Sequence, residues 1–420
     1  MTALVFINGS VGWGGINNAE DVRTVYELFN KILPEPLVVS DQVTDALLQA
    51  IRDFQQPFMS SPDGRIDVNG RTWKRLVKVA GPINPVAGLL PGNDRDKEFD
   101  AEVAALDLED SAAYQFTFKT KGTSIGFKVA RTGKRNRGLF LPENSATHLE
   151  GEVIAYRLAR IFGVSEIFNP TAYYTLQAGA IRRFKQMLRS NERNKWRKQN
   201  TERILQSIRE NPASLAGIYK HRSKRRSQAV DSLAVGNKLN TNHRFAKLIN
   251  AQGPMPSASL VTIPGISPDK PEYPVPRERE LVLARQLSII FTMDMLTGQW
   301  DRFSGGNIEV YAHKDGRLQF VGRDNGGSHL LWGWNWFNKY RGWLTRFDRD
   351  LIQELHWLKA FLDGRASEYR SLPSPASFME LIGFSSARTF RAFQEKLNVF
   401  LEEHVQVCED RFGNDCYFNG

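Results

Sequence analysis

The chain has 420 residues, 41% hydrophobic and 24% charged, the composition of a soluble globular protein with room for two or three domains. No apolar run reaches membrane-spanning length; two cysteines, Cys408 and Cys416, are too few for a disulfide framework, and with no His read near them a zinc site is not expected, while whether they pair stays open. The net charge of +10 is local: Arg182 to Arg226 holds fifteen Lys and Arg against three Glu, a net of +12, which leaves about −2 for the rest.

The N-terminus, MTALVFINGS, lacks the basic flank and apolar core of a standard signal peptide. It predicts a protein that stays in the cytoplasm or leaves by a route that reads no such signal. Residues 1–79 read as a small helical module. Val22, Val25, Leu28, Phe29 and Ile32 share one helical face behind an Asn18–Asp21 capping pair. Val43, Leu47, Ala50, Ile51 and Phe54 share another. Pro62-Asp63-Gly64 turns the chain, and Thr72, Trp73 and Leu76 begin a third helix.

VGWGGINNAEDVRTVYELFN, AIRDFQ and PDGRIDVNGRTWKRL together resemble peptidoglycan-binding helical modules. The resemblance implies a three-helix fold and peptidoglycan as a partner. Tyr26 stands where such modules carry Gln, and Val38 to Asp45 lacks their D-G-x-x-G, so a protein-docking helical domain is the competing reading.

Residues 80–112 are rich in Pro, Gly and acid and read as a linker, with a short helix from Asp96 to Leu106. From 113 to 420 the pattern predicts a second domain. Tyr114, Phe116 and Phe118 alternate, Lys121-Gly122-Thr123 turns, and Ile125, Phe127 and Val129 alternate back, with Lys128 opposite Phe127. A helix follows from Thr147 to Phe162, with Glu152 near its start. The basic segment, 182–252, reads as a helical insertion of at least two helices, one beginning near the HRSKRRS run. Its charge points either to a solvated face or to an anionic partner. Ser259 to Ile263 reads as a strand, and Arg277 to Leu296 as a broadly apolar, buried helix.

That helix runs into Asp301-Arg302 and Asn307. A hairpin follows, with Ile308 and Val310 on one strand, a Lys314-Asp315-Gly316 turn, and Leu318 to Val321 on the other. It ends at Asp324-Asn325-Gly326. Two carboxylates and an amide at adjoining turns suit phosphoryl transfer, where one acid orients the nucleophile and the other groups hold divalent metal on the phosphates. Asp and Asn also favour turns for purely local reasons. The WGWNWFNKYRGW run reads as core and rim packing, with stacking on sugar rings or bases as its alternative. Leu351 to Leu362 and Phe378 to Val407 read as helical scaffold.

YQFTFKTKGTSIGFKVAR, EGEVIAYRLARIFGV, TGQWDRFSGGNI and FVGRDNGGS, taken in order, are similar to the secretory-pathway atypical kinases, with HipA-type and phosphoinositide kinases as more distant relatives. The resemblance implies an α+β fold: a two-lobed atypical protein-kinase-like domain behind the three-helix module. It implies ATP with Mg²⁺ or Mn²⁺, and a hydroxyl acceptor on a protein or glycan. Lys128 would contact the phosphates, and Glu152 would pair with Lys128 or metal. Asp301 would be catalytic, and Asn307 and Asp324 would be metal ligands. Gln299 replaces the family's Asn, Phe303 replaces a frequent His, and the stapling cysteines of the animal members are absent. A nucleotide-binding pseudokinase, an interaction protein and an AMP transferase therefore stand as alternatives. A wall-binding-like module without a signal peptide is the combination expected of a bacterial effector exported by a specialised system.

Overall fold

The computed structural model describes residues 7, 9–33, 35–68, 70–80, 90–119, 124–133, 138–143, 148–189, 195–221, 227–230, 233–235, 238–252, 260–267, 270–303, 307–313 and 317–418. The expected turns at Lys121-Gly122-Thr123 and Lys314-Asp315-Gly316 lie outside these residues, as does Thr147.

The chain begins with β1 (Val11–Gly12), α1 (Ala19–Asn30), α2 (Asp45–Gln55), β2 (Arg65–Ile66) and α3 (Arg71–Ala80). The predicted stripes are the buried ones: Val22, Val25, Leu28 and Phe29 meet Leu47, Ile51, Trp73 and Leu76 in one core. Asn18 is the residue before α1 but its side chain caps no helix amide; it donates instead to the Asp21 carboxylate at 3.1 Å, whereas Thr44 caps α2 by accepting from the Leu47 amide. β1 pairs antiparallel with β2.

Next come α4 (Asp94–Ala104), β3 (Tyr114–Phe118), β4 (Phe127–Arg131), β5 (Gly138–Pro142), α5 (Leu149–Ile161), β6 (Thr171–Gln177), α6 (Ala178–Arg189), α7 (Lys195–Glu210) and β7 (Ser214–His221). β3 to β7 make a five-stranded sheet in the order β3-β4-β5-β7-β6. Phe127 stacks on Phe116 at 4.1 Å and meets Phe184 of α6 at 5.0 Å, so the apolar face of α6 packs on the sheet. Arg182 and Arg189 lie on the exposed face of the same helix.

β7 corrects the reading of 182–252 as a wholly helical insertion. Its eight residues are buried at six positions, and it lies between β5 and β6 in the sheet. A strand buried on both faces shows no two-residue alternation, so the sequence pattern conceals it. Ser227 to Ala229, where a helix was expected, is β8, which pairs with the hairpin described below.

The remainder runs through β9 (Ala234–Val235), β10 (Lys238–Leu239), α8 (Arg244–Leu248), the antiparallel pair β11 (Leu260–Ser267) and β12 (Lys270–Pro276), and α9 (Arg277–Thr297). Then follow β13 (Ile308–Ala312), β14 (Leu318–Gly322), α10 (Trp334–Trp343), β15 (Phe347–Asp348), α11 (Arg349–Leu362), α12 (Pro375–Ile382), α13 (Ala387–Asn398), α14 (Gln406–Phe412) and β16 (Tyr417–Phe418). The predicted hairpin is β13-β14, joined on its outer side by β8.

These elements form two compact units. One comprises Met1–Val86, Ala105–Leu149 and Ala172–Lys220; the other comprises Ala87–Ala104, Glu150–Thr171 and His221–Gly420. Within the first unit the helical module is fastened to the sheet. Gln177 donates to the Lys31 carbonyl at 3.1 Å, Thr175 donates to the Ala80 carbonyl at 3.3 Å, and the Ser214 hydroxyl donates to the Val79 carbonyl. No helix among the described residues is long and apolar enough to cross a membrane.

Candidate functional site

The second unit gathers its polar chemistry where α9 ends. Gly298 takes φ +69°, and a Cβ there would stand 2.6 Å from the His329 carbonyl oxygen, so only glycine fits this turn. The Gln299 amide N–H donates to the Asp294 carbonyl at 2.9 Å, and the Gln299 side chain is fully buried. Its Nε2 donates to the Asp324 carbonyl at 2.9 Å, while its Oε1 accepts from the Asp301 amide at 3.1 Å. One side chain therefore joins the two turns that carry the acids.

Arg302 fixes the same turns from below. Guanidinium has five N–H donors, and all are matched in this fully buried side chain. Nε and Nη2 reach the Asp294 carboxylate at 2.8 and 2.7 Å. Nη1 reaches the carbonyls of Asn307 and Arg323 at 3.0 and 2.5 Å, and Nη2 also reaches Asn325 Oδ1 at 2.7 Å. The Tyr340 hydroxyl donates to Asp294 at 3.1 Å. Burial pushes the Asp294 carboxyl up, against the opposing pull of Arg302 and Tyr340. Burial works against the Arg302 charge too, but Asp294 outweighs it and the guanidinium is held above its ordinary range.

Asp324 sits at the end of β14 with φ 51° and ψ 65°, a left-handed conformation that Asp tolerates better than most residues. It is exposed, and among the described residues its carboxylate has no hydrogen-bond or ion-pair partner. A tight turn, Asn325–Gly327, follows. The Asn325 amide donates to Glu152 Oε2 at 3.1 Å, and Glu152 is completely buried in the first turn of α5. A Cβ on Gly151 would stand 2.5 Å from the Ser328 carbonyl oxygen, and one on Gly327 would stand 2.7 Å from Asp301 Cβ. Glycine at 151 lets α5 come up against the Ser328 backbone, and glycine at 327 leaves room for the Gln299 and Asp301 side chains. Asn307 donates to the Asp301 carbonyl at 2.7 Å, closing the Asp301 turn from the start of β13.

Glu152, Asp301, Asn307 and Asp324 are thus linked in one network within the second unit. Lys128 lies in the first unit on β4, half-buried, opposite Thr117 on β3 and Leu139 on β5. Phe303, where the kinase pattern often has His, is buried against Phe291 and Trp343 with ring centres 5.5 and 5.4 Å away. The substitution makes that position part of the core.

Among the described residues no three His, Cys, Asp or Glu side chains group as metal ligands. Asp324 and Asn307 offer two oxygen donors of the hard type. That suits Mg²⁺ or Mn²⁺, which complete their shells with water and phosphate oxygens, and not a metal needing an all-protein cage. Cys408 and Cys416 are free and buried. His404 Nδ1 lies 3.9 Å from Cys408 Sγ, which corrects the expectation that no His is near the cysteines: it stands one helical turn before Cys408.

Asp294, Asn325 and Gly151 are among the residues of the network that carried no assignment in the sequence. Asp294 had a signal, since a lone acid inside the apolar run FTMDML calls for a buried cation. Asn325 Nδ2 is buried without a partner among the described residues.

No protein-family model and no curated protein sequence matches the chain. Among solved structures, the Golgi casein kinase with Mn/ADP bound is similar at 12% identity and a TM-score of 0.49, covering 76% of this chain and 78% of that chain. A second structure of the Golgi casein kinase gives 13% identity and a TM-score of 0.47, with 76% and 78% covered. The Shewanella oneidensis MR-1 complex of HipA, HipB and operator DNA gives 11% identity and a TM-score of 0.32, covering 93% of this chain and 87% of that chain.

Proposed function

We propose that the protein is an ATP- and divalent-metal-dependent phosphotransferase acting on a hydroxyl acceptor. The observation that carries this reading is the Gln299 bridge, which fixes the Asp301 turn to the Asp324 turn through its two amide ends. Gln299 holds both acids through their main-chain atoms and takes up neither carboxylate. In this reading Asp324 and Asn307 hold the ion. Asp301 orients the acceptor hydroxyl, and Lys128 contacts the phosphates. Glu152 is a positioning residue, because it takes the Asn325 amide and so sets the Asp324 turn. The bound ion would neutralise charge on the phosphate oxygens. The protein's own share of catalysis is mainly alignment of groups that need not reorganise.

The test is incubation with γ-labelled ATP and Mg²⁺ or Mn²⁺ beside Asp301→Asn and Asp324→Asn, following label in the protein, in free phosphate and in an added bacterial lysate. Metal-dependent transfer that both substitutions abolish supports the assignment. Undiminished transfer in Asp324→Asn removes it. The same reading makes the helical module a wall-directed part of an exported bacterial effector. Failure of the full chain to sediment with purified peptidoglycan would remove that part and leave the catalytic part standing.

A further inference from the structure

Elsewhere on the second unit is a cleft of about 560 Å³, within the size range of small-molecule sites. Its two walls are helix faces of the same spacing. Val282, Arg285, Gln286 and Ile289 come from α9; Asp350, Gln353, Glu354 and Trp357 come from α11. Each set falls at i, i+3, i+4 and i+7, so each projects from one side of its helix.

The charges of the cleft are already matched. Arg285 donates to Asp348, and to Asp350 at 2.7 Å. Arg370, held with φ 48°, pairs with Glu354 at 2.9 Å, and Glu354 also accepts from the Tyr369 hydroxyl at 3.0 Å. Such pairs leave little for a free anion or cation to gain. What stands open is apolar and planar: the Trp357 indole is 54% exposed and Val282 is 50% exposed, beside the exposed Gln353 amide and the edges of the paired groups.

We propose that this cleft binds a neutral saccharide of one or two rings. The C–H face of a pyranose would lie on the Trp357 indole. Its hydroxyls, each both donor and acceptor, would meet Gln353 and the outer oxygens and N–H groups of the ion pairs. A peptide fits less well. The charged groups along the cleft are already paired with one another, and two exposed apolar residues are too few to seat an amphipathic helix. The site shares no residue with the Asp301–Asp324 network, so it stands or falls independently of the phosphotransferase reading.

The test is saturation-transfer NMR on the full chain with cellobiose, maltose and N,N′-diacetylchitobiose as probes. Transfer to ring protons of at least one disaccharide is expected, weakened at least tenfold in Trp357→Ala and several-fold in Gln353→Ala. Gln353 is exposed, so its variant keeps the wild-type melting temperature and serves even if the Trp357 variant misfolds. No transfer from any of the three, or transfer unchanged in both variants, overturns the proposal.

Discussion

Gln55 in the first unit and Gln299 in the second are both fully buried, and each uses both ends of its amide to tie neighbouring segments together. Gln55 Oε1 accepts from the Gly64 amide at 2.9 Å. Its Nε2 lies 2.7 Å from Asp63 Oδ1, 2.9 Å from the Arg65 carbonyl and 3.1 Å from Thr72 Oγ1. Asp63 Oδ1 also accepts from the Arg65 amide at 2.9 Å, so the acid of that turn is used in building it. Gln299 reaches Asp324 through its main-chain carbonyl and Asp301 through its main-chain amide, so this side chain takes up neither carboxylate. The same device makes a closed structural knot in one unit and, in the other, a scaffold for the exposed Asp324 and the half-buried Asp301. The difference is whether the glutamine takes up the acid's carboxylate, as Gln55 does with Asp63, or only main-chain atoms, as Gln299 does.

The sharpest way to break the second arrangement is Arg302→Met. It leaves the Asp294 carboxylate buried without its cation and strips hydrogen bonds from three further acceptors. Unfolding in urea should show a loss of about 3–5 kcal/mol. A loss below 1 kcal/mol would mean that the Arg302 hub is not what holds the turns. Asp324→Asn should act in the opposite sense. Asn also tolerates left-handed backbone, so the melting temperature should hold within about 2 °C while phosphoryl transfer falls about a thousandfold.

An acid-sensitive point lies away from both glutamines. Burial pushes the His404 imidazole down to about 4, and its Nε2 donates to the Leu344 carbonyl at 2.7 Å. Because the folded value lies below the ordinary 6.5, the unfolded chain binds the extra proton between pH 6.5 and 4. Stability therefore falls as pH drops through that window, by about 3 kcal/mol at most. Urea midpoints at pH 7 and 4.5 should show that His404→Gln loses much less on acidification than wild type. An equal loss would assign the acid sensitivity to other groups.

The two glutamines give the smallest but most discriminating pair. Gln55→Leu and Gln299→Leu should each lose about 1–3 kcal/mol, the cost of leaving buried partners unsatisfied. Per folded molecule, only Gln299→Leu should also lose transfer, by about tenfold or more. Equal transfer in the two variants would dissolve the distinction between knot and scaffold.

Much of this was legible in the sequence, for local reasons. The stripes of α1 to α3, the β3-β4 alternation and the β13-β14 hairpin repeat at their own structural periods. Asp301, Asn307 and Asp324 announce themselves as polar residues at the ends of apolar elements. What was not legible depends on distant contacts. β7 follows a basic helix and is buried on both faces, so neither charge nor alternation marks it. Arg302 was visible as a charged residue beside Asp301, but the acceptors that match its five donors come from residues 294, 307, 323 and 325, brought together only by the turns it stabilises. Gln299 reads as a departure from a familiar Asn; its bridging role needs the position of the Asp324 carbonyl.

The central claim is that Asp324, presented on the Gln299–Arg302 scaffold, is where a metal–nucleotide complex docks. Its most direct test is calorimetric titration of ATP into the full chain with and without Mn²⁺, repeated on Asp324→Asn. Mn²⁺-dependent binding in the wild type, weakened at least tenfold by the substitution while the melting temperature holds, is the predicted result. Equal ATP binding by both proteins, or binding indifferent to Mn²⁺, would contradict it.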